Sequence, residues 1–137
     1  MTQFVLDASV VLTWCFPDEE AQKAEKISER IVLGDKPTVP AFWRHEVLNA
    51  LLVGEKRKRI TNELIQTFIE DLERLPIEIE SPSAETVFHS TQDLCRKHAL
   101  TAYDAAYLEL TMRHQIALAT ADGALERAAH AEGIEIV

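Results

Sequence analysis

The feature that most constrains this chain is a series of apolar runs too short to be buried helices, separated by long amphipathic stretches. Phe4-Val5-Leu6, Thr38-Val39, Ile116–Ala119 and Ile134–Val137 read as buried strands, and Ile77-Glu78-Ile79-Glu80 alternates like an edge strand. A helix from Ser9 to Phe16 follows the first run and is stopped by Pro17. Asp18-Glu19-Glu20 opens a second helix to Leu33, with its acidic residues at the positive end of the dipole. Gly34-Asp35-Lys36-Pro37 reads as a turn, and Pro40 leads into a long helix from Ala41 to Arg59. Thr61 caps a helix with Leu64, Ile65, Phe68, Ile69 and Leu72 at helical spacing, and Ser83 begins another with Val87, Phe88, Leu94 and Cys95 on one side. Thr101 opens the helix that carries Asp104, and Asp122-Gly123 turns into the last helix. Strands separated by helices call for a parallel sheet covered on both faces. The expected fold is α/β, a three-layer α/β/α sandwich with a short, mainly parallel central sheet, in one domain over residues 1–137.

The only cysteines are Cys15 and Cys95, with no clustered Cys/His ligands, as in a reduced protein. The apolar N-terminal stretch is interrupted by Asp7, has no basic segment before it, and is too short to span a bilayer. A cytoplasmic protein, with no membrane partner, is expected. The formal net charge of −9 argues against binding nucleic acid unless positive charge comes from elsewhere. Bound divalent metal is one source, and the run Lys56-Arg57-Lys58-Arg59 is another.

In open parallel α/β folds, ligands bind outside the carboxyl ends of the strands. Four carboxylates fall at that edge: Asp7 after the first strand, Glu46 early in the helix after the second, Asp104 in the first turn of its helix, and Asp122 after the run Ile116–Ala119. Three of them have an ordinary alternative. Asp7 and Asp122 suit helix N-caps, and Thr101-Ala-Tyr-Asp104 resembles a capping box. Glu46 is harder to dismiss, because it shares an apolar arc with Phe42, Trp43, Ala50 and Val53, where a carboxylate needs a charge partner or a cation. A convergent set of this kind suits Mg²⁺ or Mn²⁺ and the hydrolysis of a phosphodiester. Ser9, Asn49 and Thr120 are polar neighbours placed to orient the ligands, with capping as the alternative for Ser9 and Thr120.

At these residues the sequence resembles the PIN domain, and within it the VapC-type toxins of bacterial toxin–antitoxin pairs. The matching pieces are Phe-Val-Leu-Asp7-Ala-Ser, Pro40 followed by Glu46-Val-Leu-Asn49-Ala-Leu, Thr101-Ala-Tyr-Asp104-Ala-Ala-Tyr, and Leu118-Ala-Thr120-Ala-Asp122-Gly-Ala-Leu. Each is weak alone; together, in order and across nearly the whole chain, they are strong. The resemblance implies a PIN-like α/β/α sandwich and a Mg²⁺- or Mn²⁺-dependent endoribonuclease. It further implies an RNA substrate, a homodimer and a cognate antitoxin that inhibits the enzyme. By that analogy Asp7, Glu46 and Asp104 are metal ligands and Asp122 completes the acidic site.

Lys56, Arg57, Lys58 and Arg59 end the long helix, where cations suit the dipole; as a footprint they would contact RNA phosphates or an acidic antitoxin segment. That helix is apolar almost all round, which calls for full burial or a dimer contact. The five histidines show no ligand-like grouping, and no G-x-S-x-G elbow marks a serine hydrolase. A signalling receiver domain would need a late lysine, and none follows Lys97. A phosphatase with an Asp nucleophile would want a D-x-D pair, which Asp7-Ala-Ser9 lacks. A non-catalytic binding module on the same fold is the remaining rival.

Overall fold

The fold was obtained as a computed structural model, which describes residues 2–16 and 21–137. Four strands, β1 (Gln3–Leu6), β2 (Lys36–Pro40), β3 (Glu78–Glu80) and β4 (Ala117–Ala119), form one sheet in the order β3-β2-β1-β4. Every pairing is parallel, with Val5 opposite both Thr38 and Leu118. Among the described residues the helices are α1 (Ala8–Cys15), α2 (Ala21–Val32), α3 (Trp43–Lys56), α4 (Asn62–Glu73), α5 (Gln92–His98), α6 (Ala102–His114) and α7 (Gly123–Ala131). They flank the sheet, as the three-layer α/β/α expectation requires. The expected start of the second helix at Asp18-Glu19-Glu20 lies outside the described residues.

The core follows from the apolar pattern. Phe4, Val5 and Leu6 of β1 are fully buried, as a strand covered on both faces must be, and they pack with Leu51, Leu108, Leu118 and Leu125. At α3, the position of Gly54 allows a close crossing: a Cβ there would lie 2.5 Å from the ring of Phe16. No helix among the described residues is long and apolar enough to cross a membrane.

Four local expectations are corrected. Lys36 and Pro37 are not a turn but the start of β2. Lys36 donates its N–H to Thr2 O, so strand alternation turns the nitrogen of Pro37 toward the β3 side, ahead of the first β2–β3 pair at Thr38 and Glu78. The missing proline donor therefore removes no ladder bond. The long helix ends at Lys56 rather than Arg59. The chain turns through Lys58 in the left-handed region (φ 59°), closed by Arg59 N–H on Gly54 O, which returns Ile60 to the core. The stretch after Ser83 is π-helical over Thr86–Thr91, and that wider turn slips the helical phase, so Val87 and Phe88 are exposed while Leu94 is buried. The final strand shrinks to a single parallel bridge between Leu118 and Ile136, because β4 offers it so short a partner.

Candidate active site

β1 and β4 stop side by side, Leu6 opposite Ala119, and the next residue of β1 ties the two ends together as Asp7 N–H donates to Ala119 O. Asp7 is the N-cap of α1 and is nearly fully buried (6% exposed). Its Oδ1 accepts weakly from Ser9 N–H (3.4 Å). Its Oδ2 accepts from the hydroxyls of Ser9 (2.8 Å) and Thr120 (2.7 Å). Those hydroxyls are themselves acceptors, Ser9 Oγ from Ala121 N–H and Thr120 Oγ1 from Asp122 N–H. One network thus fixes the Asp7 carboxylate and the loop that carries Asp122.

Asp122 is the N-cap of α7 and commits Oδ1 to the amides of Ala124 (2.8 Å) and Leu125 (3.2 Å). Asp104 stands in the first turn of α6, where Thr101 Oγ1 accepts from its backbone N–H, so Thr101 is the N-cap and only this half of the expected capping box is present among the described residues. Glu46 stands in the first turn of α3, and its Oε1 accepts from the hydroxyl of Tyr107. The capping reading holds for Asp7 and Asp122. Asp7 and Asp122 cap their helices and still face the same edge of the sheet.

Asp7, Glu46 and Asp104 each feel the charge of another member of the set. Burial raises the pKa of Asp7, its hydrogen bonds from Thr120 and Ser9 oppose this, and the charge of Asp122 adds to it. Glu46 is raised by burial, then held back by the Tyr107 bond and raised further by the charges of Asp7 and Asp104. Asp104 is raised by burial and by the charges of Asp122 and Asp7. None of the four forms an ion pair with a lysine or arginine among the described residues. As they stand, no three His, Cys, Asp or Glu side chains among the described residues converge tightly enough to hold an ion. The donor chemistry nonetheless fits a hard divalent cation: the set is all carboxylate oxygen, and no lysine or arginine is paired with it among the described residues.

Other expected site residues are dispersed. Asn49 is exposed and makes no hydrogen bond to the four carboxylates among the described residues. Lys56, Arg57, Lys58 and Arg59 are exposed at and beyond the end of α3. Arg57 and Arg59 line a cavity of about 410 Å³ together with Ser9, Thr13 and Phe16, so the basic run borders the Asp7 network through Ser9. The guanidinium of Arg59 lies over the ring of Phe16, 4.6 Å from its centroid. Two residues were missed from the sequence. Lys23 on α2 donates from Nζ to Thr120 O (2.6 Å), and nothing in its local sequence marks that contact. Tyr107 was detectable only as a hydroxyl three residues after Asp104, on the same face of the helix.

Known proteins share the fold. In fold the chain is similar to PAE2754 from Pyrobaculum aerophilum (TM-score 0.67, 16% identity, 93% of this chain and 86% of that one). It is also similar to FitAcB from Neisseria gonorrhoeae (0.64, 14%, 97% and 95%). A third similar structure is VapBC2 from Rickettsia felis bound to a DNA fragment from their promoter (0.63, 12%, 99% and 98%). No curated protein matches it in sequence. The PIN domain family matches residues 4–131, which takes in all four carboxylates and every strand from Phe4 onward. The chain belongs to the PIN domain family.

Proposed function

We propose that this PIN domain is a divalent-metal-dependent endoribonuclease acting in the cytoplasm as the toxin of a toxin–antitoxin pair, with residues 1–137 forming a single domain. The observation that carries the reading is the placement of Asp7, Glu46, Asp104 and Asp122 at the starts of α1, α3, α6 and α7, at the carboxyl edge of a parallel sheet, with no lysine or arginine paired to them among the described residues. PIN domains are nucleases, and the family match gives the coarse activity. Similar folds include FitAcB, VapBC2 and a toxin–antitoxin complex from Klebsiella pneumoniae, which supports a cognate antitoxin as partner.

Asp7, Glu46 and Asp104 would hold Mg²⁺ or Mn²⁺, with Asp122 completing the acidic site. The bound ion supplies Lewis acidity toward the phosphodiester and lowers the pKa of water. In the reaction a water oxygen adds to phosphorus, one P–O ester bond breaks, and the departing ribose oxygen takes up a proton. Ser9 and Thr120 keep the Asp7 carboxylate in place, and Asp122 presents Oδ2 because Oδ1 is engaged with α7. Lys56, Arg57, Lys58 and Arg59 would contact neighbouring RNA phosphates, which offsets a chain charge of −9 at the one place where the substrate lies. The exposed Leu48, Leu52 and Val53 of α3 are the proposed homodimer contact.

The test is digestion of total cellular RNA by the purified protein with Mn²⁺ or with chelator, beside Asp104→Asn. Discrete fragments that require metal and vanish in the variant are expected. Metal-independent cleavage, or full activity of Asp104→Asn, would overturn the site assignment.

A further inference from the structure

Tyr107 is fully buried, yet its hydroxyl is committed to the carboxylate cluster rather than to the core. The phenol donates to Glu46 Oε1 at 2.5 Å and accepts, at 3.4 Å, from the backbone N–H of Ala8, the residue after Asp7. One oxygen therefore joins the first turn of α3 to the start of α1. The ring cannot easily move away. It is fully enclosed, and Phe42 packs its edge against Tyr107 (centroids 5.7 Å apart) and against Tyr103 (5.2 Å). Helix α6 accordingly delivers two groups from one face, the Asp104 carboxylate and, one turn later, a fixed hydroxyl donor.

A half-buried glutamate on the first turn of a helix has several rotamers open to it, and without a partner its carboxylate would swing between them. The Tyr107 hydroxyl removes that freedom. It occupies Oε1 and leaves Oε2 without a hydrogen bond among the described residues.

We propose that Tyr107 is a positioning residue for the metal site: its hydroxyl holds Glu46 by Oε1, so that Oε2 is presented to the cation as a single, preoriented ligand. The inference rests on the metal reading above and goes beyond it by assigning metal affinity to a residue that does not touch the metal. Groups that orient a ligand in this way typically govern affinity by about 10–100-fold.

The experiment is calorimetric titration of the metal-free protein with Mn²⁺, using Tyr107→Phe, Glu46→Gln and the double variant, with circular dichroism of each in chelator. Tyr107→Phe keeps the ring and should bind Mn²⁺ at least about tenfold more weakly. In the Glu46→Gln background the same change should have no further effect, because the hydroxyl acts through Glu46. A purely structural tyrosine would weaken binding equally in both backgrounds. Unchanged affinity in Tyr107→Phe, or additive losses, would overturn the proposal while leaving the metal reading intact. If the unaltered protein bound no Mn²⁺, the metal reading itself would fall and this inference with it. Should Tyr107→Phe alone not fold, comparing Glu46→Gln with the double variant, in which the group left unpaired is a neutral amide rather than a carboxylate, still decides whether the hydroxyl acts elsewhere.

Discussion

Removing one carboxylate from the cluster should stabilise the metal-free protein and abolish its response to metal, and Asp104→Asn is the cleanest such change. The Asp104 carboxylate has one hydrogen-bonding neighbour, the Thr101 side chain, which lowers its pKa and also accepts from its backbone N–H. The nearly isosteric amide keeps an oxygen to accept from Thr101 while removing a charge that burial, Asp122 and Asp7 all disfavour. The folded pKa of Asp104 is raised above its ordinary value of 3.8. Its contribution to stability is fully present below that value and is lost as pH rises through the folded pKa. Metal-free wild type should therefore weaken relative to Asp104→Asn from about pH 4 upward, and the two should converge below it. Metal reverses the order. At a hundred times the Kd, a bound ion adds about 2.7 kcal/mol. With an unfolding entropy of roughly 2.1 cal/mol/K per residue, a chain of 137 residues gains about 9 °C in Tm. If the lost ligand weakens binding a hundredfold, the same Mn²⁺ concentration adds only about 0.4 kcal/mol, a shift of roughly 1 °C. Differential scanning fluorimetry at pH 4 and 7.5, in chelator and in Mn²⁺, reads all four quantities. A metal-free Asp104→Asn that melts below wild type at pH 7.5, or one that keeps the full Mn²⁺ shift, would refute the reasoning.

Thr120→Val deletes the donor to Asp7 and leaves the Asp122 amide without its acceptor, so it should cost about 1–3 kcal/mol in urea denaturation and weaken Mn²⁺ binding; a neutral result would mean the network is decorative. Replacing Lys56, Arg57 and Lys58 together by alanine should lower RNA affinity and reduce the slope of log affinity against log salt by about 0.7 for each phosphate no longer neutralised, and an unchanged slope would take the basic run out of the RNA path. Leu48→Glu with Leu52→Glu should convert the proposed homodimer to monomers in sedimentation; a wild type already monomeric at every concentration would remove that interface.

What the sequence revealed and what it hid divide along the range of the interactions. Asp7, Asp104 and Asp122 were legible because a carboxylate beside the end of an apolar run, or three residues into a capped helix, is a local pattern, and Glu46 because its helical wheel made it conspicuous among apolar neighbours. Tyr107 was hidden because its partner lies 61 positions away and its own helix reads as plain core. Lys23 was hidden for the same reason, its acceptor being 97 positions distant. The secondary-structure errors were cases where tertiary context overrode a local rule. Pro37 enters a strand because no neighbour needs its N–H, and Val87 and Phe88 leave the core because a π-helical stretch shifts their phase. Gly54 carries no local signal for the Phe16 ring packed against it.

The same logic explains how the fold tolerates four carboxylates without a cation. Asp7 and Asp122 are N-caps, and Glu46 and Asp104 stand in the first turns of α3 and α6, so four helices aim their N-termini at the cluster. Each N-terminus carries a partial positive charge of roughly half a unit, which offsets part of the mutual repulsion before any metal binds. A parallel sheet favours this convergence, because α1, α3 and α7 begin at the edge where β1, β2 and β4 end, and α6 leads back into the start of β4. Capping and the proposed ligation are compatible, because a bond to the helix can engage one carboxylate oxygen and spare the other. Asp122 displays this most plainly, with both of its cap bonds on Oδ1. It follows that no reading of a single aspartate could separate a cap from a ligand in this chain, and that only the set of four, taken with the sheet that gathers them, carries the functional signal.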